Sequence, residues 1–253
     1  SAYIFTRDAV GSLTAGWTRR AKLLASDGSE QNYLGYSVAI SDDTVVVGTK
    51  QTGSGSSYIF TRDVPGSLTA SWTQRDKLIA SDGADGFGAP VSISGDTLVV
   101  GTAQFSNRNG SVHVFTRDVP GLLTAGWTER ATLRTSDSSV EFGDVAISGD
   151  TVVVGARDDY KEDSFFVSVG SAIIFTRDIP GNLTASWTEH QMLLASDGAA
   201  NDNFGQSVVV SGDTVAVGVY NLHTAGHSGS VYVFAPLWLG HPCEAMGRMG
   251  FAV

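Results

Sequence analysis

Apolar and polar positions follow one another along this chain in short blocks, and one block pattern is written four times. Its cleanest copy reads Phe142-Gly143-Asp144-Val145-Ala146-Ile147-Ser148-Gly149-Asp150-Thr151-Val152-Val153-Val154-Gly155. The other copies run Leu34–Gly48, Phe87–Gly101 and Phe204–Gly218. Each is an apolar run, a short polar turn and a second apolar run that closes on Gly, which is the pattern of a β-hairpin. Every unit then continues in the same way. A variable polar loop leads to a third segment of the type Ser57 to Arg62, rich in aromatic and β-branched residues. The turn Val64-Pro65-Gly66-Ser67 and a fourth segment of the type Ser71 to Ala80 follow. Short β-branched runs punctuated by Gly, Asp and Ser predict strands, and no convincing amphipathic helix is present.

The units keep register. Phe-Thr-Arg-Asp recurs at Phe5, Phe60, Phe115 and Phe175, and Trp17, Trp72, Trp127 and Trp187 follow at a fixed offset. Leu23, Leu78, Leu133 and Leu193 come next, then the Ser-Asp pairs ending at Asp27, Asp82, Asp137 and Asp197. The spacings are 55, 55 and 60 residues, and the five extra residues fall in one loop. Four antiparallel strands per unit predict an all-β fold, a β-propeller of four-stranded blades, since a single blade cannot bury both its faces alone. The recurring Trp and Phe are expected to fill the wedges between blades. The third segment occurs a fifth time, as Ser230-Val231-Tyr232-Val233-Phe234. The expected ring has four blades, one of them shared, with two strands from each chain end, which leaves one strand surplus. The repeat region is residues 1–234, and 235–253 is read as a C-terminal extension.

Composition narrows the function. The formal net charge of −10 over 253 residues argues against nucleic acid, whose phosphates call for a Lys/Arg surface. No apolar run approaches the roughly 20 residues of a membrane span. Cys243 is the only cysteine, so no disulfide forms within the chain. Residues 1–5 already match the repeat, so the reading is a processed start or a piece of something longer. There is no Gly-x-Ser-x-Gly elbow, phosphate loop or His-Glu-x-x-His, and the expectation is a protein that is not an enzyme.

The loops between the second and third segments vary while the scaffold does not: Thr49–Gly55, Thr102–Gly110, Ala156–Gly170 and Val219–Gly229. Variation on a fixed scaffold is where specificity usually sits. The ligand-binding candidates on this loop face are Arg157, Asp158, Asp159, Tyr160, Asn107, Arg108, Asn221 and His223. His223 and His227 lie four apart in a Gly-rich loop, which gives them no helical metal geometry. The repeated Asp27, Asp82, Asp137 and Asp197 are weak metal candidates, and turn-forming is their more ordinary use. The Arg7/Asp8 type of pair is expected to brace the turn after the third strand. Asn182-Leu183-Thr184 and Asn109-Gly110-Ser111 match the N-glycosylation pattern.

Trp-Thr, the Ser-Asp pairs and the hairpin Phe-Gly…Val-Ala-Ile-Ser-Gly-Asp-Thr-Val-Val-Val-Gly-Ala together resemble the FG-GAP repeats, which are related to those of integrin α-chain heads. The sequence departs from that pattern at Leu34 and Ser138. The resemblance implies a β-propeller at the cell surface or outside the cell, used in adhesion or recognition. Some relatives are lectins and others degrade polysaccharides. Calcium-binding members carry an Asp-x-Asp-x-Asp-Gly loop, whereas the hairpin turns here are only Asp42-Asp43, Gly95-Asp96, Gly149-Asp150 and Gly212-Asp213. Turns this short lack the oxygen ligands that Ca2+ prefers, so no cofactor is certain, and Ca2+ stays open without its usual loop. Three functions follow as expectations: recognition of a glycan or an extracellular protein by the loop face, assembly into a homo-oligomer or filament by strand addition, and polysaccharide turnover dependent on Asp158 or Asp159.

Overall fold

The computed structural model describes residues 1–28, 33–50, 53, 55–102, 110–135, 142–157, 169–199, 202–220, 229–235 and, as backbone, 245–249. The described residues hold strands and turns and no helix. An N-terminal pair, β1 (Ala2–Arg7) and β2 (Trp17–Leu23), forms a two-stranded sheet. Four four-stranded antiparallel sheets follow. The first is β3 (Ser37–Ser41), β4 (Thr44–Gly48), β5 (Ser57–Arg62) and β6 (Trp72–Leu78). The second is β7 (Phe87–Ser94), β8 (Thr97–Thr102), β9 (Val112–Arg117) and β10 (Trp127–Leu133). The third is β11 (Val145–Ser148), β12 (Thr151–Ala156), β13 (Ser171–Arg177) and β14 (Trp187–Leu193). The fourth is β15 (Phe204–Ser211), β16 (Thr214–Val219), β17 (Ser230–Phe234) and β18 (Ala245–Met249).

The Thr-Val-Val-Val-Gly strands are apolar on both faces because each lies between two sheets. Val45 and Val47 pack with Ala2, Ile4 and Leu23 of the N-terminal pair. Val46, on the opposite face, packs with Phe87, Val91 and Leu98 of the second sheet. Val99 and Val114 then meet Val145 and Val152 of the third sheet, and Val153 meets Phe204, Val208 and Val217 of the fourth. The core is thus a series of layers between consecutive sheets. Among the described residues no core cluster joins the fourth sheet to the N-terminal pair.

The blade expected from both chain ends is not what forms. β16 pairs with β17, with Val215 opposite Phe234, and β17 pairs with β18. The strand read as surplus is therefore the third strand of the fourth sheet, and a segment of the tail supplies the fourth. A hairpin partner next in sequence closes a short loop, whereas β1 lies at the other end of the stack, and loop-closure entropy favours the local partner.

Every fourth strand meets its third strand through a register shift, as at Ile59/Phe60 where Gln74 and Asp76 are paired and Arg75 is skipped. The bulge turns Arg20, Arg75 and Arg130 onto the third-strand threonines, Thr6, Thr61 and Thr116, at 2.8, 2.9 and 3.1 Å. The same guanidinium groups reach Asp8, Asp63 and Asp118 at 3.0, 2.8 and 3.2 Å.

Candidate functional site

The sheets offer two ends to solvent. One carries the hairpin turns and the turns after each third strand; the other carries the loops between second and third strands.

The turn end is built from a unit used three times. Arg117, at the end of β9, donates from Nε to Asp96 Oδ1 at 2.6 Å, from Nη1 to the Leu122 carbonyl at 3.3 Å, and from Nη2 to Thr44 Oγ1 of the preceding sheet at 2.8 Å. Its guanidinium stacks on Trp127, 4.6 Å from the ring centroid. The other Asp96 oxygen accepts the Gly121 N–H at 2.9 Å. Arg177 repeats this with Asp150, Asn182, Thr97 and Trp187. Arg62 keeps the ion pair with Asp43, the Ser67 carbonyl and the Trp72 stack, and among the described residues it makes no threonine contact to another sheet. The hairpin aspartate is therefore half of an ion pair that ties two turns of one sheet together, and the threonine contact ties that sheet to its neighbour. The recurring Trp residues lie beneath these arginines; Trp127 is buried, while Trp17 is exposed. Asp43, Asp96 and Asp150 are each engaged by an arginine and a turn N–H of their own sheet.

At the loop end, Thr49 and Ser56 clasp the first loop at its neck. The Thr49 N–H and hydroxyl both donate to the Ser56 carbonyl, at 3.0 and 2.9 Å, and the Ser56 N–H donates back to the hydroxyl at 2.9 Å. Thr102 and Ser111 form the same clasp in the second loop. Of the ligand-binding candidates, Arg157 is described: it follows β12, half-buried, with its side chain 3.8 Å from the position a Cβ on Gly143 would take. Asn107, Arg108, Asp158, Asp159, Tyr160, Asn221 and His223 lie outside the described residues, as does Asp137.

The remaining repeated aspartates are latches between sheets. Asp27 accepts the Tyr58 hydroxyl at 2.8 Å and pairs with Lys77 at 2.5 Å. Lys77, then Tyr58, hold its carboxyl below the usual range. Asp82 pairs with Arg134 at 2.8 Å and faces the buried His113 at 3.9 Å. Asp197 accepts the Tyr232 hydroxyl. Tyr58, His113 and Tyr232 occupy one position of the repeat, each two residues before the third-strand Phe. The three described aspartates thus lie in the turns after β2, β6 and β14, each with its own partners. Among the described residues no group of three or more His, Cys, Asp or Glu is placed to hold a metal ion.

Two residues escaped the sequence reading. His113 is fully buried, with Nδ1 2.8 Å from Glu129 and Nε2 3.1 Å from the Ser111 hydroxyl. Asp144 accepts the Val208 N–H at 3.0 Å and the Val145 N–H at 2.9 Å. Burial pushes its carboxyl above the usual range, against the pull of those donors. A carboxyl raised in the folded state binds its proton more tightly there, so its contribution to stability falls as pH rises from the unfolded value of 3.8 through the folded one. Asp144→Asn removes that loss. Whatever constant offset the change brings, the variant's melting temperature relative to wild type is expected to rise between pH 3 and pH 7. Parallel melting curves across that range check it, and a flat difference refutes it.

The FG-GAP repeat model matches residues 17–60, 72–115 and 187–234, together more than half of the chain. The chain belongs to the FG-GAP repeat family. The matched stretches leave out the FG-GAP copy whose hairpin is one residue shorter between Gly143 and Val145 and whose loop is the longest. No curated protein sequence matches the chain. FG-GAP repeats suggest a β-propeller, often one used in adhesion or recognition, and are typical of extracellular or surface proteins.

Proposed function

We propose that this FG-GAP chain is a non-enzymatic recognition module outside the cell or on its surface, and that its sheets are propeller blades presenting the loop end to a glycan or an extracellular protein. The observation that carries this is the contrast between the two ends. The turn end repeats one Arg–Asp–Gly brace with its hydrogen bonds spent inside the fold. The loop end sets segments of differing length and sequence on the scaffold, the first two of them on clasped necks, which suits specificity on a rigid frame. Arg157 to Tyr160 in the longest loop, with Asn107, Arg108, Asn221 and His223, are the contacts proposed. Calcium has no part in this reading.

A glycan array and an extracellular-protein array, each screened in calcium and again in chelator, test it. Selective binding that survives chelator and is lost on replacing residues 158–160 with Gly-Ser-Gly is the expected result. Blank arrays of both kinds overturn the reading, as does turnover of a polysaccharide that Asp158→Asn or Asp159→Asn abolishes.

A further inference from the structure

The turn after each third strand takes one backbone carbonyl for its brace and leaves the side chain there uncommitted. In the turns after β1, β5, β9 and β13 that residue is Ser12, Ser67, Leu122 and Asn182, and each carbonyl accepts Nη1 of the arginine that ends the strand. Ser, Leu and Asn serve the brace alike, so the fold sets no need for the Asn182 side chain. A threonine stands two residues later in all four turns, at Thr14, Thr69, Thr124 and Thr184. Only the turn after β13 therefore reads Asn-Leu-Thr.

That triplet has a defined shape. The Asn182 Oδ1 accepts the Thr184 N–H at 3.0 Å and the Thr184 hydroxyl at 2.9 Å. A backbone N–H can only donate, so the amide atom facing it is the oxygen and Nδ2 is turned the other way. Nδ2 has no partner among the described residues, and Asn182 and Thr184 are both exposed. The backbone beneath is fixed. The Asn182 N–H donates to the Ile179 carbonyl at 3.1 Å, the Ala185 N–H to the Asn182 carbonyl at 3.0 Å and the Gly181 N–H to Asp150 at 2.8 Å. A group added to Nδ2 breaks none of these bonds. The other Asn-x-Ser/Thr match, Asn109-Gly110-Ser111, differs at its hydroxyl residue. Ser111 is fully buried, its hydroxyl 3.1 Å from both Thr102 Oγ1 and His113 Nε2. Contact with an exposed acceptor amide would draw that hydroxyl out of the loop neck.

We propose that Asn182 is a site of N-glycosylation, modified on Nδ2 by a transferase whose donor is an oligosaccharide linked to a lipid pyrophosphate. The Nδ2–C1 bond forms as the anomeric C1–O bond breaks, the pyrophosphate leaves with the electron pair, and the amide proton goes to a base of the transferase. The site has use only in an exported chain, so it rests on the extracellular reading above. It puts the sugar chain on the turn end and leaves the loop end clear for recognition.

The full chain, secreted from cultured animal cells behind an added leader, tests it. Treatment with a peptide N-glycosidase is expected to shift the wild-type band, and peptide mapping should find the modification at Asn182. Asn182→Ser, which copies the turns after β1 and β5, should lose that modification and melt as the deglycosylated wild type does. Thr184→Ala should lose it and Thr184→Ser should retain it, which separates the need for the hydroxyl from a general effect on folding. Secreted wild type with Asn182 unmodified overturns the site, whatever is found at Asn109. Full occupancy in Thr184→Ala overturns the part given to the hydroxyl contact. Because the leader is supplied, an unmodified Asn182 counts against the site and not against the location, while blank arrays count against recognition and not against the site.

Discussion

Asp96→Ala is expected to cost about 3 kcal/mol, at the lower end of what breaking a buried ion pair costs, because Asp96 itself is a quarter exposed. The Arg117 side chain is 2% exposed, and Asp96 is the only carboxylate it meets among the described residues. Without that carboxylate the guanidinium keeps its bonds to Thr44 and the Leu122 carbonyl, but its charge stays buried without a counter-charge. For a chain of this size that is a fall in melting temperature of roughly 10 °C. The Gly121 N–H also loses its acceptor, so the turn after β9 loosens with it. Asp118→Ala is the control. Asp118 and Arg130 form a pair at 3.2 Å with both side chains about a third exposed, and such a pair contributes about 0–1 kcal/mol. Equal effects of the two substitutions in thermal unfolding would refute the view that burial, not pairing, sets the scale.

Gly48→Ala and Gly155→Ala are expected to cost at least as much by a different route. A Cβ on Gly48 would stand 1.7 Å from the Gly88 carbonyl oxygen, and one on Gly155 would stand 2.0 Å from the Gly205 carbonyl oxygen. Both obstacles are backbone, so no rotamer change relieves them and the neighbouring sheets must move apart. The loss is expected at or beyond the top of the ~1–3 kcal/mol range of ordinary overpacking. The same substitution at Gly218, where the nearest atom is 3.5 Å away in its own sheet, should leave the melting temperature nearly unchanged. Urea unfolding of the three variants side by side checks this. A destabilised Gly218→Ala variant would show that the carbonyl contacts are not the cause.

Much of the fold was legible because the repeat carries its own phase. The hairpin turns, the variable loops and the four-strand unit follow from apolar blocks bounded by Gly and Asp. The tail strand was not legible: Ala245-Met246-Gly247-Arg248-Met249 has neither β-branched residues nor alternation, and its pairing comes from the neighbouring edge of β17. Chemistry was harder to read than architecture. The hairpin aspartates read in sequence as remnants of a calcium loop, although every one that meets an Arg in the structure has a Phe-Thr-Arg following in its own unit. Asp27 and Asp197 find their tyrosines 31 and 35 residues later, on the next sheet, so no local pattern announces them. The shared Tyr, His and Tyr position was the available signal.

The Thr49–Ser56 and Thr102–Ser111 clasps carry a consequence for how such a chain changes over time. Each fixes the two stems of a loop before the loop itself contributes anything, so added residues cost little more than closure entropy. Doubling a loop costs about 0.6 kcal/mol on that account. Insertions and exchanges of whole segments at these necks should be nearly silent in stability, while a single methyl group at Gly48 is not. The molecule is open to recombination at one end and closed to it everywhere else, which makes it a natural frame for grafting foreign peptides.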